Sequence, residues 1–164
     1  MLWLRTLLFT LLVPGTVLVL VPLLLLASGI GPRFDFGPAR CLGIVSLLIG
    51  LMVIGWCFVD FIRRGHGTPA PYDPPRKLVV AGLYRYIRNP QYIGVFLTII
   101  GEAWWSGAGI LFGYALFLII VYNLFVRLYE EPHLSRLFGQ EYVQYCESVP
   151  RWFPRITPSP NDFV

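Results

Sequence analysis

Two groups of side chains in this apolar sequence are equipped for chemistry. The first is Tyr84, Arg85, Tyr86, Arg88, Asn89, Gln91 and Tyr92; the second is Glu130, Glu131 and His133. A carboxylate can hold an ammonium or sugar hydroxyls, an arginine or asparagine can hold a carboxylate, and a tyrosine face attracts a cation. The same residue types have structural uses: arginine and tyrosine anchor helices at a membrane boundary, and adjacent glutamates end a helix in solvent. Spacing alone leaves both uses open, so the elements that position the two groups decide between them.

Between Arg88 and Arg127 lie 38 residues whose only charge is Glu102, with Trp104, Trp105, Ser106 and Gly107 near the middle. This pattern predicts a tight helical hairpin whose arms are close to the minimum length for crossing a bilayer, and it brings the two groups together at its open end. Asn89-Pro90 marks the start of the first arm, with asparagine as the cap and proline at the first helical position. Two further runs are long enough to cross a hydrocarbon core of about 30 Å: Leu7 to Ala27, 21 residues without a charge, and Cys41 to Val59, 19 residues ending before Asp60. The first also has the outline of a leader peptide, but it exceeds the roughly 7 to 15 residues of such an apolar region. Pro14 and Pro22 lie inside it and predict kinks.

The composition agrees, at 56% hydrophobic and 13% charged residues, far more apolar than a soluble domain. Of the 13 basic residues, ten fall in two segments: Arg63, Arg64, Arg76, Lys77, Arg85 and Arg88, then Arg127, Arg136, Arg151 and Arg155. By the positive-inside rule both segments and both termini are cytoplasmic. The net charge of +4 follows from this asymmetry and from anionic lipid at the inner leaflet rather than from a nucleic-acid footprint. Cys41, Cys57 and Cys146 have neither metal nor redox spacing, and no metal site is expected.

Residues 64–76 are rich in glycine and proline and read as an ordered, non-helical loop. They lead into Leu78-Val79-Val80, too short for a helix, and a turn at Gly82. Gly65-His66-Gly67 lacks the third glycine and the strand of a dinucleotide fingerprint. Beyond Arg127, Leu134, Leu137 and Phe138 fall at helical spacing, Gly139 ends that helix, and Tyr142 and Tyr145 continue on a second short one. Trp152 and Phe153 have the character of an interfacial anchor. Glu102, beside two tryptophans at the outer interface, reads as structural, and Asp60 is placed to pair with Arg64.

The segment Gly82-Leu83-Tyr84-Arg85-Tyr86-Ile87-Arg88-Asn89-Pro90-Gln91-Tyr92 is followed by Glu130-Glu131, by Phe138-Gly139-Gln140-Glu141-Tyr142, and by Tyr145 and Val149-Pro150. In this order the segments resemble the isoprenylcysteine carboxyl methyltransferase and phospholipid methyltransferase superfamily over roughly residues 63 to 155. Asn89 stands where the carboxyl methyltransferases usually have histidine, and Asn-Pro is common in the phospholipid-methylating branch.

The resemblance implies S-adenosylmethionine as cofactor, with contacts from Arg76, Lys77, Leu78, Val79, Tyr84, Asn89, Pro90, Gln91, Tyr92 and Glu130. Arg127, Glu131 and His133 are the candidates for handling the acceptor, a membrane lipid or lipidated small molecule carrying an amine or a carboxylate. Methyl transfer asks the protein mainly for positioning and exclusion of water, with tyrosine faces suited to the sulfonium.

The expectation is therefore a single all-α integral membrane domain with about four transmembrane helices. Residues 1–62 give two spans, 63–92 a cytoplasmic cofactor loop, 93–126 the hairpin and 127–164 a cytoplasmic cap of short helices. An NADPH-dependent membrane reductase of the steroid type and a non-catalytic lipid-binding relative are the alternatives.

Overall fold

The computed structural model describes residues 12–65 and 78–159. Arg76 and Lys77, most of the glycine- and proline-rich loop, and the start of the first apolar run lie outside the described residues. The described chain is helical, and its only β pairing is an isolated bridge between Arg33 and Ala108. Four long helices, α1 (Leu12–Ser28), α2 (Cys41–Asp60), α3 (Pro90–Ser106) and α4 (Gly109–Phe125), precede two short ones, α5 (Glu131–Phe138) and α6 (Gln140–Ser148).

Two continuous helical stretches, Gly37–Arg63 and Gly109–Phe138, are long and apolar enough to cross a membrane. Most of the apolar surface of α2 and α4 faces outward: Leu42, Val45, Met52, Leu116, Phe117 and Ile120 are all exposed. Water would penalise such a continuous apolar exterior, whereas lipid accommodates it. Helix α1, at Leu12–Ser28, is apolar but shorter. Helix α3 has 17 residues and a length of about 26 Å at the standard helical rise.

The α2–α3 seam rests on four glycines, spaced seven apart on each helix. A Cβ on Gly43 would stand 2.7 Å from the Gly101 carbonyl oxygen, and one on Gly50 would stand 2.6 Å from that of Gly94. The antiparallel backbones therefore touch at two levels, as small residues allow in a membrane, where dispersion and close packing replace hydrophobic drive. Ser46 adds an interhelical hydrogen bond to the Leu97 carbonyl at 2.8 Å. Beside the seam, Leu18, Ile54, Val95, Ile99, Ala115 and Leu118 form the common core of the long helices.

Gly107 makes the hairpin turn at φ 66°, and its missing side chain admits the Phe34 backbone, whose N–H donates to the Gly107 carbonyl at 2.7 Å. Phe36 stacks on Trp104 with centroids 4.5 Å apart, and the Arg40 guanidinium lies 4.4 Å from the Trp105 ring centroid. These contacts tie the α1–α2 loop to the closed end of the hairpin. Glu102 is part-buried nearby.

Prolines widen two helices. One residue before Pro22, the Val21 N–H reaches back to Thr16, and one residue before Pro132, the Glu131 N–H reaches back to Val126. Each is a turn of π geometry just ahead of a residue whose ring cannot fit the regular ladder. The kink expected at Pro22 is thus taken up as a wide turn.

Candidate active site

At the open end of the hairpin, an extended segment alternates between two cores. Leu78 and Val80 pack with Tyr142, Tyr145 and Val149 of the C-terminal cap, while Val79 packs with Cys57 and Tyr84 beneath α2. The chain then turns at Gly82, where φ is 54° and the Asp60 carboxylate and Trp56 indole occupy the space a side chain would need. Asp60 is buried at this contact, and the Arg64 side chain expected to pair with it lies outside the described residues.

The turn is laced to the end of the chain. Backbone hydrogen bonds run from Arg88 N to Pro150 O, from Arg155 N to Tyr86 O and from Ser159 N to Arg85 O, each at 3.0 Å. The Arg85 guanidinium donates twice to the Ser159 carbonyl, at 2.9 and 2.7 Å. The Tyr145 hydroxyl donates to the Tyr84 carbonyl at 2.8 Å, and burial pushes that phenol's pKa up, keeping it a donor. Residues 150–159 thus form a strap antiparallel to residues 85–88.

The adjacent glutamates have different partners. Glu130, on the wide turn that Pro132 imposes, accepts a 2.7 Å hydrogen bond from the Tyr92 hydroxyl. This is the meeting of the two sequence groups expected from the hairpin. Glu130 lies beyond the apolar run, which ends at Arg127, and burial raises its pKa above the ordinary 4.5 despite the opposing effect of the Tyr92 hydrogen bond. Glu131 is bound by the fork of Arg151 at 2.7 and 2.6 Å and by Arg88 at 3.0 Å. Its lone pairs are engaged by two guanidiniums, which makes it a clamp between cap, strap and loop.

Between α3 and α4 lies a cavity of about 480 Å³. Ile93, Phe96, Leu118 and Ile119 make an apolar floor; Tyr92, Tyr122, Asn123, Arg127 and Trp152 surround its more polar end. The Tyr92 and Tyr122 rings are 4.6 Å apart, and the Trp152 indole N–H donates to Asn123 Oδ1 at 3.2 Å. Arg127 also borders a second, more open hollow of about 470 Å³ with Arg88, Glu131, Ser135 and Arg151.

The remaining candidates are distributed around this arrangement. Tyr84 and Val79 are buried in the core and Leu78 packs on the cap, which makes them supports of the loop. Pro90 is the buried first residue of α3 and Gln91 is half-buried beside it. Asn89 precedes the helix as expected, but its side chain does not cap it; its amide donates to the Arg151 carbonyl at 3.2 Å. The Asn89 backbone stands at φ −122° and ψ 52°, outside the helical region. His133 stacks in parallel on Tyr129 with centroids 5.9 Å apart, and its Nε2 is buried without a hydrogen-bond partner.

Sequence reasoning missed Asn123, Pro132 and the inward use of Trp152. An asparagine within an apolar run and a proline just after an acidic pair are visible signals. Nothing local reveals that a boundary tryptophan turns inward.

The profile of the family described as phospholipid methyltransferase matches residues 39–141. A phosphatidylethanolamine N-methyltransferase of Talaromyces marneffei is 30% identical over 96 residues, which are 58% of this chain and 9% of that protein. A protein-S-isoprenylcysteine O-methyltransferase of Schizosaccharomyces pombe is 34% identical over 81 residues, 48% of this chain and 34% of that protein. The protein-S-isoprenylcysteine O-methyltransferase A of Arabidopsis thaliana is 26% identical over 121 residues, 70% of this chain and 58% of that protein. This chain thus corresponds to only a part of each relative's length. No solved structure matches it. With the family profile covering more than half of the sequence, including the Asn89–Tyr92 turn and the Glu130–Glu131 pair joined by the Tyr92–Glu130 hydrogen bond, the chain belongs to the phospholipid methyltransferase family.

Proposed function

We propose that this chain is an S-adenosylmethionine-dependent methyltransferase acting on a lipid-like acceptor, an amine or a carboxylate, at the cytoplasmic face of a membrane. In this reading four helices span, the third at the lower limit of length, with both termini and the α5–α6 cap inside, and the distribution of basic residues supports it. The observation that carries the reading is the Tyr92–Glu130 hydrogen bond, which joins a part-buried carboxylate to the wall of an aromatic, lipid-facing cavity.

The donor set fits the cofactor. Glu130 would hold its ammonium or ribose hydroxyls, with Tyr92 and the Asn89–Gln91 turn beside it; Arg76, Lys77, Leu78 and Val79 are the further contacts proposed, and Tyr84 supports Val79 from the core. Bound there, S-adenosylmethionine supplies a methyl group that passes to the acceptor's nitrogen or oxygen while the sulfur keeps the electron pair of the broken bond. The chain's own work is positional. Tyr92 and Tyr122 present faces that favour a cation and exclude water, and the apolar floor between α3 and α4 takes the acceptor's chain. Arg127 lies at the headgroup end for an acceptor anion. Glu131, through Arg88 and Arg151, fixes the strap that closes the site, and His133 stands outside the cavity lining.

Calorimetry of the purified protein with S-adenosylhomocysteine and, separately, NADPH tests this. Binding of the first alone is expected; binding of NADPH alone would select a reductase, and binding of neither a lipid-binding scaffold. Reporters fused at Asp35 and at the C-terminal end should give opposite topological signals.

A further inference from the structure

We propose that Trp152 is the wall that limits the size of the acceptor headgroup, and that Asn123 is the residue that holds it there; this rests on the methyl-transfer reading above.

A wall that selects by size must be held in place, and Trp152 is held through the backbone of its neighbours and through its indole N–H. The Pro150 carbonyl accepts from Arg88 N, the Arg151 carbonyl accepts from the Asn89 amide, and the Arg151 guanidinium is locked to Glu131. Three residues beyond Trp152, Arg155 N donates to Tyr86 O. The backbone on both sides of Trp152 is therefore tied to the loop that opens α3. The indole N–H is tied in turn to α4, through Asn123 Oδ1. An asparagine among apolar helix positions is costly to leave unpaired, and this bond gives it a partner.

The location argues for the headgroup rather than the chain. Ile93, Phe96, Leu118 and Ile119 form the apolar part of the cavity, whereas Trp152 stands with Tyr92, Asn123 and Arg127. The Trp152 and Tyr92 rings are 6.4 Å apart at 56°, so the space next to the Tyr92–Glu130 pair is bounded by an aromatic side chain that is anchored to α4 through Asn123. Each methyl added to an acceptor nitrogen enlarges the group that must fit there. An aromatic wall of this kind discriminates by roughly tenfold per added methyl or methylene.

The test uses the full chain in detergent, saturated with S-adenosylhomocysteine, and three probes: lysophosphatidylethanolamine and its N-methyl and N,N-dimethyl forms. Affinities are read from lipid-induced shifts in melting temperature, independently of turnover. The wild type is expected to bind the unmethylated probe at least about tenfold more tightly than the dimethyl one. Trp152→Ala and Asn123→Ala should each collapse that ratio to about twofold or less, and Trp152→Phe should fall between. Asn123→Ala leaves the Glu131–Arg151 clamp and the backbone ties of the strap in place, so it reports on the wall even if Trp152→Ala folds poorly. A wild type that does not discriminate, or an unchanged ratio in folded Asn123→Ala and Trp152→Phe, overturns the proposal. Failure of the wild type to bind S-adenosylhomocysteine would instead remove the methyl-transfer reading on which it stands.

Discussion

On the side of α3 that faces α2, Gly94 and Gly101 bring two backbones into contact, and a Cβ at Gly101 would stand 2.6 Å from the Gly43 carbonyl oxygen. Toward α4, the same helix presents Tyr92, Ile93 and Phe96 to a cavity of about 480 Å³. One face is packed so closely that α3 has no freedom to shift, and this fixes the depth at which its first turn carries Tyr92. The other face leaves volume for a ligand beside that fixed turn. Rigidity and vacancy are divided between two faces of one helix, and the polar clamps of the strap stabilise the end where they meet.

Four experiments break or sharpen this contrast. The largest effect is expected from Gly101→Ala, which forces a methyl against backbone on both sides. Overpacking there should cost about 3 kcal/mol, seen as a large fall in melting temperature in detergent. Gly113→Ala on α4, with nothing within 4 Å of the added Cβ, should leave melting unchanged or raise it by the roughly 0.5–1 kcal/mol that alanine gains over glycine in a helix. Equal losses at both positions would dissolve the distinction between the seam and the open surface.

Next come the two glutamates. Glu131→Gln strips the partner from two part-buried guanidiniums, and destabilisation of about 3 kcal/mol is expected. Glu130→Gln should melt nearly as the wild type does but lose about 1.5 to 3 kcal/mol of S-adenosylhomocysteine binding, roughly tenfold to a hundredfold in affinity. If the two variants exchange these phenotypes, the assignment of clamp and ligand-holder is reversed.

A smaller, graded effect is set by pH. Burial holds the Glu130 pKa above its ordinary 4.5, and a ligand ammonium requires the ionised form. Affinity for S-adenosylhomocysteine should therefore fall on acidification at a higher pH than an unperturbed carboxylate gives. Folding responds in the opposite sense: protonation is easier in the folded chain than in the unfolded one, so this group adds stability as pH drops through that window. Affinity titrations of the wild type and Glu130→Gln should diverge there, and parallel curves would exclude Glu130 as the titrating group.

The smallest effect is expected from Asn89→Asp. A capping residue would tolerate the change, since aspartate caps about as well. Here the amide donates to the Arg151 carbonyl, and aspartate replaces that donor with an acceptor, at an expected cost of about 1 kcal/mol in stability. An unchanged melting temperature would return Asn89 to the capping role read from its sequence.

Much of the framework was legible because it depends on local pattern. The hairpin turn at Gly107, the start of α3 at Pro90, the extended segment before Gly82 and the break at Gly139 all follow from apolar periodicity and the backbone preferences of proline and glycine. The glycine seam was also written in the chain, as two pairs seven residues apart. It went unread because a glycine's value at a helix interface depends on what lies opposite.

The sequence by itself determined that the chain is helical and apolar, that two polar groups meet at the open end of a hairpin, and which family it belongs to, since residue types, spacing and order are local properties. Only the tertiary structure decided how the neighbouring carboxylates divide their roles. The wide turn before Pro132 changes the direction in which each successive side chain leaves the helix, sending Glu130 to Tyr92 and Glu131 to Arg88 and Arg151. It also decided that the strap carries Trp152 into the cavity wall, because the hydrogen bonds that place it link residues about 30 to 70 positions apart, a range over which no local preference acts.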